Sequence, residues 1–270
     1  MQKSSDFLSQ YDNEYLNNLA SGIADYYFPT GRVEPELIAI KNNISFSYGE
    51  YGDSFDGLIQ CEEDLFHIYV NTDRLTHGYS DRARFTFAHE LGHYFIDDHR
   101  NALLEGKSPS HSSITGFVRK NRAERQADYF ASSLLLPEFR FKLFCERKKF
   151  DFKIIQDLSK IFGVSLSATA LRFCSIGNHP IMVVYSNDMN IKWYWYSGDF
   201  PFKGLKYGMD RLPEDTVAGE YFKLQRSPKS KQSLFAMDWF NIWQDNQAEL
   251  PFYEQCIFSG KHCLSVIWED

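Results

Sequence analysis

No two of the chain's five cysteines stand at CxxC spacing, and Cys61, Cys145, Cys174, Cys256 and Cys263 are scattered and odd in number. That argues against a disulfide framework and against a cysteine-zinc knuckle, and it suits a reducing compartment. Long apolar runs are missing as well, since none approaches the roughly 18 to 20 residues that a membrane helix needs. The opening stretch MQKSSDFLSQYDNEYL has neither a basic n-region nor a long apolar h-region, so no secretory leader is expected. A cytoplasmic location with no membrane partner follows as the expectation. Internal repeats and low-complexity segments are absent. Positive charge is scarce too: the formal net charge of −7 argues against wholesale coating of nucleic acid. Residues 138–153, where six Lys/Arg face three Asp/Glu, are the local exception, and such a surplus is most often a solvated face.

What remains is a globular composition. With 270 residues, 43% hydrophobic and 17% aromatic, the chain can build one large or two modest cores. Apolar positions at helical spacing predict a helix over 6–28, ending before Pro29. Residues 37–46 fit a short helix or a strand. Two strands, 57–61 and Leu65–Asn71, flank the acidic Glu62-Glu63-Asp64 turn as a hairpin. A core-facing helix is expected over 81–98, with Asp81 as its cap. An exposed loop follows over 101–117, and helix resumes from about 118 to 136, closed by Pro137. Two further helices, Phe152–Phe162 and 168–174, joined by a turn containing Gly163, have the outline of a helix-turn-helix. Beyond Pro180 the texture is β: 181–185, 191–196, 233–243 and 263–268 read as strands. The expected division is 1–140, a helical segment 141–176, and a β-rich domain 177–270 of unassigned role.

The chemistry concentrates in the run His89-Glu-Leu-Gly-His93. On a helix, positions i and i+4 share a face, so His89 and His93 can offer two imidazole nitrogens to one tetrahedral ion. Glu90 follows the first histidine, where a carboxylate can take the proton of a metal-activated water. A salt-bridged surface helix is the plain alternative, although the amphipathic setting and the small Gly92 favour the metal. For the third ligand there are two candidates. Glu124 lies one turn before Asp128 on the next expected helix, so that Asp128 could accept a hydrogen bond from a ligand histidine and fix its tautomer. His99 is the rival, ten residues after His89, but the HExxHxxGxxH pattern needs glycine where this chain has Ile96. Cys256, His262 and Cys263 could imitate a second metal cluster, and Trp193-Tyr-Trp-Tyr196 could imitate a stacking platform. Strand and turn residues account for both more simply. His111, in the expected loop, is left outside the site.

The blocks Arg84-Phe-Thr-Phe-Ala-His-Glu-Leu-Gly-His-Tyr-Phe95 and Glu124-Arg-Gln-Ala-Asp-Tyr-Phe-Ala-Ser-Ser-Leu-Leu-Leu-Pro137, in that order, resemble the ImmA/IrrE family of bacterial and phage metallopeptidases. The resemblance is specific over about 57–140 and looser beyond. It implies an α+β protein with a zincin-like domain, followed by the helical, helix-turn-helix-like segment and the β-rich domain. It further implies His89, His93 and Glu124 as metal ligands and Glu90 as general base. Gln126 stands where many members carry a second acid, and Asp128 where many carry Asn; neither change removes a ligand. Two histidines and one carboxylate point to Zn²⁺, with Mn²⁺ or Fe²⁺ compatible with the same ligands.

The function expected is zinc-dependent endopeptidase action on a protein substrate. By resemblance that substrate is a helix-turn-helix transcriptional repressor, cut at one site. Ile68 and Tyr69, on the strand Leu65–Asn71, are the expected substrate-binding positions, if that strand offers an exposed edge to an extended peptide. The rival readings are a DNA-binding regulator that reads DNA through 152–174, and a partner-binding module with a catalytically silent zinc fold.

Overall fold

The computed structural model describes residues 8–73, 81–107, 111–113, 121–206, 208–224 and 230–269. It is α+β and divides into two compact units, one of 1–141 with 159–165, the other of 142–158 with 166–270.

In the first unit, helix α1 (Gln10–Tyr27) begins at a capping box in which Ser9 and Asp12 exchange side-chain and backbone hydrogen bonds. Helix α2 (Pro35–Lys41) starts on proline, whose fixed φ and missing N–H suit a first turn. Strand β1 (Ser45–Gly49) follows, so the ambiguous 37–46 stretch holds both a helix and the start of a strand. Strands β2 (Gly57–Glu62) and β3 (Leu65–Asn71) form the expected hairpin, turning through Glu63 and Asp64 at φ 49° and 63°. Helix α3 spans Asp81–Phe95, with Asp81 as its first residue instead of its cap.

The expected loop over 101–117 is partly regular structure. Helix α4 (Asp97–Leu104) and strand β4 (His111–Ser113) occupy part of it, while 108–110 and 114–120 lie outside the described residues. Helix α5 (Arg122–Leu135) is capped by the Asn121 side chain on the Glu124 N–H. Helices α6 (Glu138–Cys145) and α7 (Phe152–Phe162) each contribute residues to both units.

The sheet order is β1-β3-β2-β4, with β1 parallel to β3 and the other pairs antiparallel. Helix α3 packs on β2 and β3 with one face and on α5 with another, and α1 lies against α5. A helix enclosed on several sides should be apolar nearly all round, and α3 buries eleven of its fifteen residues. Phe87, Leu91 and, from α5, Phe130 are fully buried there, each worth about 1.5–3 kcal/mol. Arg84, also buried, spends its guanidinium on the carbonyls of Val33, Phe162 and Gly163 and so fastens 159–165 into this unit.

The second unit holds helix α8 (Leu166–Ile176) and an antiparallel sheet of β5 (Ile181–Asn187), β6 (Asn190–Tyr196), β7 (Gln232–Phe235), β8 (Pro251–Ser259) and β9 (His262–Glu269). Its order is β6-β5-β9-β8-β7. One face packs on α8. The other holds Met182, Val184, Phe200, Phe240, Phe252 and Ile267 together with the short helices α9 (Val217–Leu224) and α10 (Ala236–Trp239). The strand expected over 233–243 stops at Phe235, where the Asp238 carboxylate accepts the Phe235 N–H and the chain turns helical. No described helix is long and apolar enough to cross a membrane.

Candidate metal centre

Helix α3 carries His89, Glu90 and His93, all with no solvent exposure. Three buried polar side chains in a row would be costly unless their partners are built in, and the partners come from α5. Gly92 makes this approach short, because a Cβ there would stand 3.2 Å from both Ala127 Cα and Phe130 Cδ1. At that crossing Glu124, one turn before Ala127, reaches both histidines: its oxygens lie 3.3 Å from His89 Nε2 and 3.4 Å from His93 Nε2. The two Nε2 atoms are themselves 3.2 Å apart. Among the described residues, these three are the group whose ligand atoms could hold a metal ion.

The donor set fits zinc. Ligands about 2.0–2.1 Å from a tetrahedral Zn²⁺ stand about 3.3 Å from one another; the two Nε2 atoms are 3.2 Å apart, Glu124 turns one oxygen to each of them, and one ligand atom from each of the three residues lies within 4.8 Å of the others. Asp128 lies 2.9 Å from His89 Nδ1, so a proton on that nitrogen leaves the Nε2 lone pair facing the cluster.

The three groups perturb one another strongly. Burial alone would push His89 down, but hydrogen bonds to Asp128 and Glu124, with the charges of Asp128 and Glu90, carry it well above the ordinary imidazole value. Burial drives His93 the other way, reinforced by His89 beside it. Burial would raise the Glu124 carboxyl, yet the hydrogen bonds from His89 and His93 hold it far below the usual carboxylate range.

Glu90 is not among the cluster atoms. It turns toward the sheet, where its carboxylate meets the first residue of β2, Gly57.

His99 comes close to the centre but is engaged elsewhere. The chain breaks helix at Ile96 with φ −81° and ψ 113°, an ordinary extended conformation, and α4 then brings the His99 ring to 5.0 Å from that of His93. Its Nε2 meets Gln126 Oε1 at 3.0 Å, and Gln126 Nε2 reaches on to Asp12 at 3.3 Å. The residue that replaces a second acid thus ties His99 to the capped start of α1. The side chain of His111 lies outside the described residues.

One sequence expectation changes. Strand β3 lies between β1 and β2, hydrogen-bonded on both sides, and Ile68 is fully buried. No strand-pairing position is open at Ile68 or Tyr69, and the outer strands are β1 and β4. A recognition helix must expose side chains to a groove, yet α8 buries Thr169, Ala170, Phe173 and its one basic residue, Arg172. The helix-turn-helix outline is present, and the face of α8 left half-buried or exposed carries Ser167, Ala168, Leu171 and Ser175, with no basic side chain. Nor do Cys256, His262 and Cys263 gather: His262 Nδ1 lies 2.7 Å from the Tyr185 hydroxyl, while both thiols face Ser265.

The sequence reading missed Gly57. A glycine opening an otherwise apolar strand is a signal of close approach by another group.

A buried helix pair presenting two histidines and a glutamate with zinc spacing defines the class of HExxH metal sites. Residues 75–173 match the model of peptidase family M78, described as the IrrE N-terminal-like domain, so this stretch is similar to the ImmA/IrrE family. A Mycobacterium tuberculosis transcriptional regulator has a similar fold, with a TM-score of 0.59 at 14% identity, covering 97% of this chain and 77% of that one. At that identity the likeness concerns the fold. No curated protein matches the chain in sequence.

Proposed function

We propose that the chain is a zinc-dependent endopeptidase that cuts a helix-turn-helix transcriptional repressor at one site. The observation that carries the peptidase reading is the convergence of His89, His93 and Glu124 on one point, with Glu90 beside them and outside the ligand set. Bound there, Zn²⁺ would supply a Lewis acid for the scissile carbonyl and a water acidic enough to attack near neutral pH. Glu90 takes the proton released as the new C–O bond forms and returns it to the amine nitrogen as the C–N bond breaks. Asp128 keeps the proton of His89 on Nδ1, so that Nε2 serves as donor. Mn²⁺ or Fe²⁺ would suit the same ligands less specifically.

The substrate lies extended against β4, the outer strand of the described sheet, in this reading. Ser113 on β4 registers with Gly57 on β2, and Gly57 lies against Glu90, so a peptide paired to β4 would pass near the proton acceptor. A repressor as substrate rests on family resemblance, and a cytoplasmic location would give access to it. The one basic residue of α8, Arg172, is buried, which supports recognition of a protein over direct reading of DNA. In keeping with the sequence division, 1–140 would form the peptidase, with 141–176 and 177–270 serving recognition or regulation.

The test is to load the protein with zinc and incubate it with the helix-turn-helix regulator encoded beside it, and separately with casein. Fragments are read by mass spectrometry. One cut in the regulator, intact casein, and loss of the cut in a Glu90→Gln protein that still binds zinc are the expected results. Broad casein digestion with the regulator untouched would remove the repressor reading and leave the peptidase. Cleavage that survives Glu90→Gln would remove the role of Glu90.

A further inference from the structure

Gly57, the first residue of β2, sits where another side chain would strike the carboxylate of Glu90. A Cβ at this position would lie 2.6 Å from Glu90 Oε1, 3.2 Å from its Cδ, and 2.5 Å from Thr86 Cγ2. Real Cβ atoms do not approach that closely, so the space is reserved. Glycine often serves for backbone conformation, but Gly57 is not among the residues with positive φ, which leaves room for a neighbour as its purpose here. Thr86 and Glu90 are four residues apart and share the face of α3 turned to the sheet.

Neither side can yield easily. Gly57 is paired with Val70 on β3 and with Ser113 on β4, so the strand cannot retreat without disturbing two ladders. The residue before it, Asp56, is buried; its carboxylate meets Arg82 Nη2 of α3 at 3.1 Å, and its carbonyl accepts the Asn71 N–H at 2.9 Å. That clamp holds the start of β2 against the first turn of α3. Glu90, fully buried, has no solvent side toward which to withdraw.

We infer that Gly57 is a positioning residue: the absence of its side chain sets where the Glu90 carboxylate rests, and hence the point from which it takes a proton. This rests on Glu90 as proton acceptor, so the test includes a measurement that needs no activity. Gly57→Ala is compared in denaturant unfolding with the native protein and in a Glu90→Ala background. If Gly57 seats the carboxylate, the substitution lowers the unfolding midpoint of the native protein and lowers it clearly less once the Glu90 side chain is gone. An equal loss in both backgrounds overturns the inference, whatever the protein does to peptides.

The second readout uses the regulator cleaved in the assay above and zinc itself. Gly57→Ala keeps its bound zinc and its KM while kcat falls about ten- to a hundredfold, the scale expected of a misplaced reacting group. Glu90→Asp, one methylene shorter, returns room to the alanine, so the double variant cuts no more slowly than Glu90→Asp alone. If Gly57→Ala folds poorly, adding Thr86→Ala removes the Cγ2 contact and leaves the one to Glu90, and the same comparisons apply. Native kcat in Gly57→Ala, or zinc lost together with activity, overturns the inference. Failure of all cleavage, with the unfolding coupling intact, would instead count against the peptidase reading alone.

Discussion

Asp128 Oδ1 lies 2.9 Å from His89 Nδ1, while Glu124 Oε2 lies 3.3 Å from the Nε2 of the same ring. Residues four apart on α5 therefore grip both nitrogens of one imidazole, and the ring cannot rotate without breaking one of the two contacts. Because the Asp128 bond acts through ring orientation and basicity, its loss should weaken zinc without abolishing it. Asp128→Ala is expected to lower zinc affinity roughly ten- to a hundredfold. Asp128→Asn should lose less, since an amide oxygen can accept the same bond. Competition with a chelator measures both, and native affinity in Asp128→Ala would refute the orienting role.

Glu124 and His99 can be separated in the same assay. Glu124 contributes an oxygen to each histidine of the cluster, whereas His99 Nε2 is hydrogen-bonded to Gln126. Glu124→Ala should leave the purified protein essentially without zinc. His99→Ala should keep the metal and lose some stability, on the order of 1–2 kcal/mol, because a buried hydrogen bond and ring packing go with it. Zinc stripped by His99→Ala and retained by Glu124→Ala would reverse the ligand assignment.

The cluster was legible in the sequence because helical periodicity is local: His89, His93 and the pair Glu124 and Asp128 follow from spacing within one element each. Which strand lies at an edge is not local, and it was misjudged. The alternation of 65–71 shows a strand with a buried face, but it cannot show that β1, twenty residues earlier, returns to pair in parallel with it. Strand β8 escaped for another reason. Its inward positions are Phe252, Glu254 and Cys256, and a glutamate at the centre of the buried face hides the period of two. Helix α8 shows the converse: its outline fitted a DNA-reading helix, and only packing reveals that Arg172 is buried.

Gly92 offers a test of the helix crossing. Alanine there would stand 3.2 Å from Ala127 Cα, so α5 must shift by about a few tenths of an ångström, and Glu124 moves with it. The cost is offset by the helix propensity of alanine over glycine, about 1 kcal/mol. Gly92→Ala should therefore unfold near the native midpoint yet bind zinc about tenfold more weakly, because ligand geometry tolerates displacement less than packing does. Unchanged zinc affinity would show that the crossing distance does not set the donor spacing.

The last prediction concerns Glu254, buried in the second unit far in sequence from the metal ligands. Burial raises its carboxyl above the ordinary value, partly opposed by hydrogen bonds from Ser265, Cys256 and the Val217 N–H. The Val217 N–H bond, at 2.9 Å, ties β8 to the first turn of α9. With the folded value above the unfolded one, the folded unit retains a proton that the unfolded chain releases, so stability falls as pH rises across the interval between them. This contribution is complete below the unfolded value and is lost by the time pH has passed the folded one. Glu254→Gln keeps an oxygen for the Val217 N–H and cannot ionise. It should flatten this part of the stability profile and raise the unfolding midpoint above the native protein's at neutral pH. Glu254→Ala should instead destabilise by about 2–4 kcal/mol, through a cavity and an unpaired N–H. All five tryptophans, Trp193, Trp195, Trp239, Trp243 and Trp268, belong to this unit, so tryptophan fluorescence follows its unfolding separately from that of the metal-binding unit. A Glu254→Gln protein that keeps the native pH dependence above the ordinary carboxylate value would show that another group titrates there.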